Sequence, residues 1–491
     1  MGFLSRLSIL LLLLSAISSC RNAVSDEGLI PIVEKALSDS SSIYYGDFSM
    51  YPDNLADLPI GIFDCSVSGF EVVERILTLD EFDNITGSPE PDGIVDFGGE
   101  NVQYLSDKAN GPYGGYILSG NTAYLREQVV RDVLFLTGQK YYNLAVDEYM
   151  SGFKEPVKLV LVSSPVADLH CIGDINALLD RSGTGVKAVG VIESGIRKAL
   201  SRAEADGDIC IGVMSSPDGV TSREYETAIR RMAKEQGLSG NIQILNQEAV
   251  GLEAALKGDT AYIDPEARAA RKSYAGPVTG ISYNNIDMSL MDSYNFDTDS
   301  NSVLYDSSGK VSGMQLNSVE NYVRFHIVSM IERHRRSGSS MPISSIILAD
   351  GSFAQIEDVF REVLQELYDC RRGGIYLYRS SISPDFEFID PAKCAAVEAY
   401  RILRADGNLA LRGEKSRLMP FLTLPSGNLP QDAFNPDGSL RDEYKYSRES
   451  GTEDVTTKPV PFAPRYVSPS VMSHIERNDP ATYSLIRNSL Y

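Results

Sequence analysis

Short, unbroken apolar runs alternate with amphipathic stretches from residue 59 onward, which predicts strands separated by helices. "LPIGIFD" (58–64) is such a run, followed by the small-residue turn "CSVSG" and the helical pattern "FEVVERIL". "VKLVLVSS" (157–164) leads into "PVADLHCIGDINALLD", "VKAVGVIES" into "GIRKALSRAEA", and "DICIGVMSS" into "SREYETAIRRMAKEQG". The helix pattern "SVENYVRFHIVSMIERHRR" feeds "SSIILADGSFAQIEDVF" (344–360), whose apolar run stops at Asp350. Strands apolar on both faces imply an α/β fold with parallel sheets covered on both sides. Ligands and reactive groups gather at the strand-to-helix turns of such sheets, so Asp350, Gly351 and Ser352 become candidate site residues.

Three stretches break the pattern. Residues 20–58 are polar apart from one helical pattern, "GLIPIVEKALSDS", and read as a tether and packing arm. Residues 262–318 are turn-rich and read as an insertion. Within it Asp297, Asp299 and Asn301 mimic the start of an EF-hand loop, but Ser302 stands at the loop glycine and Ser308 at the closing glutamate, so a solvated loop is expected. Residues 425–491, rich in Pro, Ser and charge, read as an irregular extension with a short final helix.

The N-terminus carries a targeting pattern. Arg6 precedes an apolar run, 7–17, too short to span a bilayer and suited to a signal peptide. The run ends in "ISSC" (17–20), which resembles the bacterial lipobox and implies lipid on Cys20 after cleavage. Arg21 is not the aspartate associated with inner-membrane retention, so the expected location is the cell envelope, at the outer membrane. The only membrane partner expected is reached through that lipid. A formal charge of −22 across 491 residues argues against nucleic acid as a partner.

Five cysteines follow Cys20: Cys65, Cys171, Cys210, Cys370 and Cys394. Their odd number and irregular spacing imply no disulfide framework, and no Cys/His pattern has zinc spacing, so no metal is expected. His170, His326, His334 and His474 are scattered and read as ordinary surface or core histidines.

Several turns and helices carry a family resemblance. "IGIFDCSVSGFEVVERIL" resembles the opening of glutamate racemases, with their "FDSGxGG" turn, and "ENVQYLSDKANGPYGG" resembles their "ENxxYxxDxxxxPYG" stretch. "VGVIESGIRKAL" and "ICIGVMSSPDGVTSREYETAI" resemble the start of their second domain, and "FIDPAKCAAVEAYRIL", followed by "FLT", their C-terminal helix. The segments occur in the family's order from about residue 59 to 424. The resemblance implies two α/β domains in pseudo-twofold relation, with a cleft between them for an amino acid and no cofactor. Residues 1–19 would then be a lipoprotein signal peptide. Residues 59–186 with 386–424 would form the first domain, and residues 187–385 the second.

The family's two catalytic cysteines are absent. Where it has "ACNTA", this chain reads Ser163-Ser164-Pro165-Val166-Ala167; where it has "GCTHYP", the chain reads Ala349-Asp350-Gly351-Ser352-Phe353. Ser164 and Asp350 thus stand at the two cysteine positions. Racemisation without a cofactor needs one acid/base group on each face of Cα, and desolvated thiolates serve well. A serine without a neighbouring base cannot, and an ordinary aspartate is too weakly basic. The resemblance implies further ligand contacts at Asp64, beside the substrate ammonium, at the Pro112-Tyr113-Gly114 turn lining the carboxylate, and at Ser222. Glu193 matches a family glutamate, and Cys65 replaces a substrate-contacting serine.

Plain structural roles compete with these. Asp64, Ser222 and Asp350 are favoured helix caps, residues 112–114 suit a β-turn, and Cys65 suits a small buried filler. The leading reading is a lipid-anchored racemase-like protein that is not a two-cysteine racemase and binds a small polar, amino-acid-like ligand or none. The alternatives are an amino-acid isomerase or an enzyme of altered chemistry using Asp350 or Cys65, and a surface scaffold.

Overall fold

The computed structural model describes residues 28–66, 69–217, 222–280, 284–306, 313–410 and 415–489, with the backbone alone at Ser222. Residues 1–19, Cys20, Ser308 and the side chain of Ser222 lie outside the described residues. Among the described residues no helix is long and apolar enough to cross a membrane.

Two mostly parallel sheets organise the chain. The first is built from β1 (Ile60–Asp64), β2 (Val102–Ser106), β3 (Leu159–Val162) and β4 (Lys187–Gly190). The second contains β5 (Ile209–Ser215), β6 (Ile242–Glu248), β7 (Ile343–Leu348) and β8 (Ile382–Ile389). The chain then returns to the first sheet as β9 (Leu418–Pro425) and β10 (Thr457–Pro461). The strand orders are β10-β9-β2-β1-β3-β4 and β8-β7-β5-β6. Counted within each domain, the first four strands of each sheet follow the same 2-1-3-4 order. Within these two sheets, among the described residues, only β10 runs antiparallel. The first, third, fifth and seventh strands are nearly all buried, as unbroken apolar runs require.

Helices cover both faces. The first sheet is flanked by α1 (Pro31–Ser38), α2 (Phe70–Thr78), α3 (Thr122–Thr137) and α4 (Pro165–Ser182). The second is flanked by α5 (Val191–Leu200), α6 (Ser222–Glu235), α7 (Val319–Arg336) and α8 (Glu357–Asp369). α9 (Pro391–Ala405) returns to the first domain, where Ala395, Ala399 and Leu403 join the core of β1 and β2. α10 (Pro469–Asn478) and α11 (Pro480–Ser489) end the described chain.

Four expectations change. β4 pairs with β3, so the first domain runs through Gly190 rather than stopping at 186. β8 pairs with β7, so the second domain runs through Ile389 rather than 385. The insertion at 262–318 is not merely solvated: Ile286, Tyr294 and Leu316 are buried in the second core, because its polar turns position a few apolar anchors. Asp297 accepts the Asp299 N–H at 2.8 Å, within a turn. The fourth change is the largest. The extension after 425 is ordered, with β10 closing the sheet edge and α10 and α11 packing on the first domain. Pro459 and Pro461 made β10 look irregular, yet an edge strand tolerates residues without an N–H on its outer side. The arm at 20–58 also packs: Ile32, Val33 and Ala36 of α1 are buried in the first core.

Candidate functional site

In a 2-1-3-4 sheet the connections leave strands 1 and 3 in opposite directions, which opens a crevice at their C-terminal ends. Asp64 ends β1 and Cys65 follows it, while Ser163 and Ser164 follow β3. In the second domain Ser216 follows β5 and Asp350 follows β7. The candidate residues therefore flank both switch points.

In the first domain Asp64 is buried, and its Oδ1 accepts the Ser66 N–H at 2.8 Å and the Ser66 hydroxyl at 3.0 Å. It braces the β1–α2 loop and is no helix cap, since Gly69 precedes α2. Burial raises its pKa, opposed by hydrogen bonds from Ser66 and Ser163. Ser164 caps α4: its Oγ accepts the Ala167 N–H at 3.4 Å and donates to Cys65 Sγ at 3.8 Å. Burial first, and the Asp64 charge second, push the Cys65 thiol up. A thiol held protonated in this way is a poor nucleophile.

The Pro112-Tyr113-Gly114 turn does not face a ligand through its tyrosine. Tyr113 is fully buried, and its Oη lies 2.6 Å from both Asp107 Oδ2 and Asp132 Oδ2. The phenol has one proton to give, so one carboxyl must itself be protonated. Asp132 fits that part: burial, then the Asp107 charge, raises its pKa well above normal. Asp107, also raised by burial, to about 6, takes further donors from Asn110 and Thr423 at 2.8 Å each. Tyr113 was expected at a ligand but serves this core network instead. Pro112 alone of the turn lines a cavity, and Gly114 opens the short helix Gly114–Leu118.

In the second domain Asp350 is a helix cap. It precedes the short helix Gly351–Ala354, and its Oδ1 accepts the Ser352 N–H at 3.0 Å and the Ser352 hydroxyl. Burial, then the Glu253 charge, raises its pKa, while Ser352 and Ser216 oppose the shift. Ser352 is thus committed to Asp350. Gly351 lies against the first domain: a Cβ there would stand 1.8 Å from Glu71 Oε2. The Glu71 carboxyl of α2 therefore rests on the second-domain turn. Burial raises its pKa most, followed by the charges of Asp350, Asp390, Asp479 and Asp64.

Sequence reasoning missed Glu71, because an acidic residue in the first turn of a helix is ordinary. It also missed Asp168, whose buried Oδ2 accepts the Ile192 and Glu193 N–H groups at 2.6 and 3.1 Å and caps α5 at the domain crossing. A Cβ at Gly190 would fall 1.8 Å from its Oδ1, so any larger residue would displace this carboxyl from the crossing. Tyr225 of α6 is fully buried, with no hydrogen-bond partner at its hydroxyl among the described residues, within the fields of Asp168 and Asp350. Glu193 of α5 pairs with Arg231 of α6 at 2.7 Å within the second domain, and His170 of α4 meets Glu224 of α6 at 3.1 Å, a further tie across the domains. Among the described residues no three His, Cys, Asp or Glu side chains are grouped to hold a metal ion.

No family model matches the chain. It is similar to curated glutamate racemases: one from Parafrankia sp. is 26% identical over 179 residues, covering 36% of this chain and 49% of that protein. One from Syntrophus aciditrophicus is 24% identical over 177 residues, with 36% and 49% covered. One from Beutenbergia cavernae is 25% identical over 215 residues, with 43% and 59% covered. The chain thus spans between about half and three-fifths of the curated relatives it matches. Among solved structures, a glutamate racemase from Bacillus anthracis matches with 16% identity and a TM-score of 0.39, covering 74% of this chain and 89% of that one. One from Francisella tularensis in complex with D-glutamate matches with 12% identity and a TM-score of 0.36, covering 81% and 96%.

Proposed function

We propose that this racemase-like chain is an envelope lipoprotein, anchored through Cys20, that does not racemise amino acids. Its interdomain site would instead take a small ligand bearing an amine or a hydroxyl group. The observation that carries this reading is the Glu71 carboxyl seated on the Gly351 turn, within the fields of Asp64 and Asp350. None of these three carboxyls has an ion-pair partner among the described residues, so the site lacks a cation to hold a dicarboxylate. Burial raises all three, and an amine would offset the further rise that the Asp350 and Asp64 charges cause at Glu71 and the Glu253 charge at Asp350.

The proton-transfer argument points the same way. A two-base mechanism needs matched groups on opposite faces of Cα. The Ser164 hydroxyl is engaged by Ala167 and Cys65, with no carboxylate or imidazole among its hydrogen-bond partners in the described residues. Asp350, raised by burial, gains some basicity but serves one face only. Cys65, whose thiolate is disfavoured by burial and by Asp64, does not replace the lost base.

Two experiments test the reading. Glutamate and aspartate enantiomers incubated with the protein in D₂O should gain no Cα deuterium beyond that seen with a Ser164→Ala, Asp350→Ala control. Diamines such as putrescine should raise the melting temperature, and glutarate should not. Enantiomer-dependent exchange, or stabilisation by glutarate as large as by putrescine, would refute it. For the anchor, Cys20→Ala should release the protein from membranes and remove the acyl mass from its N-terminal peptide.

A further inference from the structure

The C-terminal arm builds a second site that owes nothing to the interdomain carboxyls. A cavity of about 420 Å³ lies between the strand ends of the first domain and this arm. Cys65 and Ser66 line its inner side, and Pro112 flanks them. Val467, Ser468 and Val471, at the start of α10, form the outer wall. Lys108 stands at the cavity and ties the two sides together, its Nζ donating to the Tyr466 carbonyl at 2.7 Å.

We propose that this cavity binds a small molecule with an apolar body and a single anionic group. The body packs against Cys65, Pro112, Val467 and Val471, and the anion rests on Lys108.

The lining sets that chemistry. The wall is mostly carbon, and a protonated thiol behaves as a small apolar surface. The volume is that of a small-ligand pocket. A lysine ammonium has three N–H groups, and the Tyr466 carbonyl takes one, which leaves two pointing elsewhere at a fixed position. The start of α10 adds positive potential on the same side. The cavity exists only while the arm is docked. Glu74 of α2 secures the arm by accepting the Ala481 and Thr482 N–H groups at 3.2 and 2.8 Å and the Thr482 hydroxyl at 2.8 Å.

Octanoate is the probe, used on the full chain, and the readout is alkylation of each cysteine by N-ethylmaleimide, followed by peptide mass spectrometry. Octanoate should slow modification of Cys65 and leave Cys370, half-buried in the other domain, unchanged. Lys108→Met should weaken that protection about tenfold, as expected for loss of one charge-assisted contact. Octanol should protect Cys65 less well than octanoate on the wild type and equally well on Lys108→Met. Phosphatidylglycerol vesicles should give no protection, because the cavity admits a free molecule rather than a chain held in a bilayer. Val471→Trp should abolish protection, with circular dichroism checking that the arm remains folded. Failure of millimolar octanoate to protect Cys65, equal protection of Cys370, or equal action of octanol on the wild type would overturn the proposal. Protection by putrescine would instead reassign the effect to the interdomain site.

Discussion

Gly351→Ala should act with opposite signs in two backgrounds. The glycine does not lie at positive φ, so its backbone accepts alanine without strain. In isolation the change should stabilise the short helix by about 0.5 kcal/mol, the low end of the alanine-over-glycine preference. In the native protein the new Cβ would stand 1.8 Å from Glu71 Oε2 and 1.9 Å from its Cδ, where contact needs about 3.5 Å. The carboxyl is the free end of a flexible side chain, so it would swing aside rather than break the fold. Displacing a buried carboxyl costs about 1–3 kcal/mol, which leaves a net destabilisation of about 0.5–2.5 kcal/mol. With Glu71→Ala already present, the clash is gone and only the helix preference remains. The double-mutant cycle should therefore show a coupling of about 2 kcal/mol between residues on different domains. Urea unfolding followed by far-UV circular dichroism measures it, since the chain has no tryptophan for fluorescence. Equal shifts from Gly351→Ala in both backgrounds would show that Glu71 does not occupy the turn.

Glu74→Ala should loosen the C-terminal arm by about 2–3 kcal/mol, because three donors lose a charged acceptor; trypsin cleavage at Arg477 and Arg487 should accelerate, and Glu74→Gln should restore part of the protection. Asp479 is raised from 3.8 to about 7, by burial and then by the Glu74 charge, so the folded state binds this proton more tightly than the unfolded one. Stability from this group is full below about pH 4 and is lost as pH rises to about 7; Asp479→Asn should flatten that part of the melting profile and raise the melting temperature at pH 8. Tyr113→Phe should cost about 3 kcal/mol, because it leaves the buried Asp107 and Asp132 carboxyls without their shared phenol; thermal unfolding that matches the wild type would refute the proton count given for that trio.

The parallel strands were legible because β1, β3, β5 and β7 are buried on both faces and cannot be written with alternating polar residues. Their ends were legible too, since Asp64, Ser164 and Asp350 each stop an apolar run. What stayed hidden depends on partners distant in the chain. Glu71 is an unremarked first-turn acid until Gly351 is folded against it. Tyr113 looks like a turn residue until Asp132, on a helix, supplies a second buried carboxyl. β10 looks like a linker because its prolines forfeit N–H groups that an edge strand does not use on that side. The boundaries slipped at β4 and β8 for a related reason. Both are edge strands, where polar residues such as Lys187, Asp385 and Glu387 are tolerated and blur the apolar run.

The first sheet is interrupted by the whole second domain, and this sets an order of events while the chain is being made. Residues 191–389 are complete before Leu418–Pro425 emerge, so the second domain can settle while β2 still presents a bare edge. That edge is Val102–Ser106, buried throughout in the finished protein. Until β9 covers it, and β10 covers β9 in turn, the nascent chain carries an apolar strand with open hydrogen-bonding groups, the surface on which polypeptides associate wrongly. A premature stop between these segments would thus leave a sound second domain attached to a sticky, unfinished first one. Strands made late in the chain thus guard the solubility of strands made long before them.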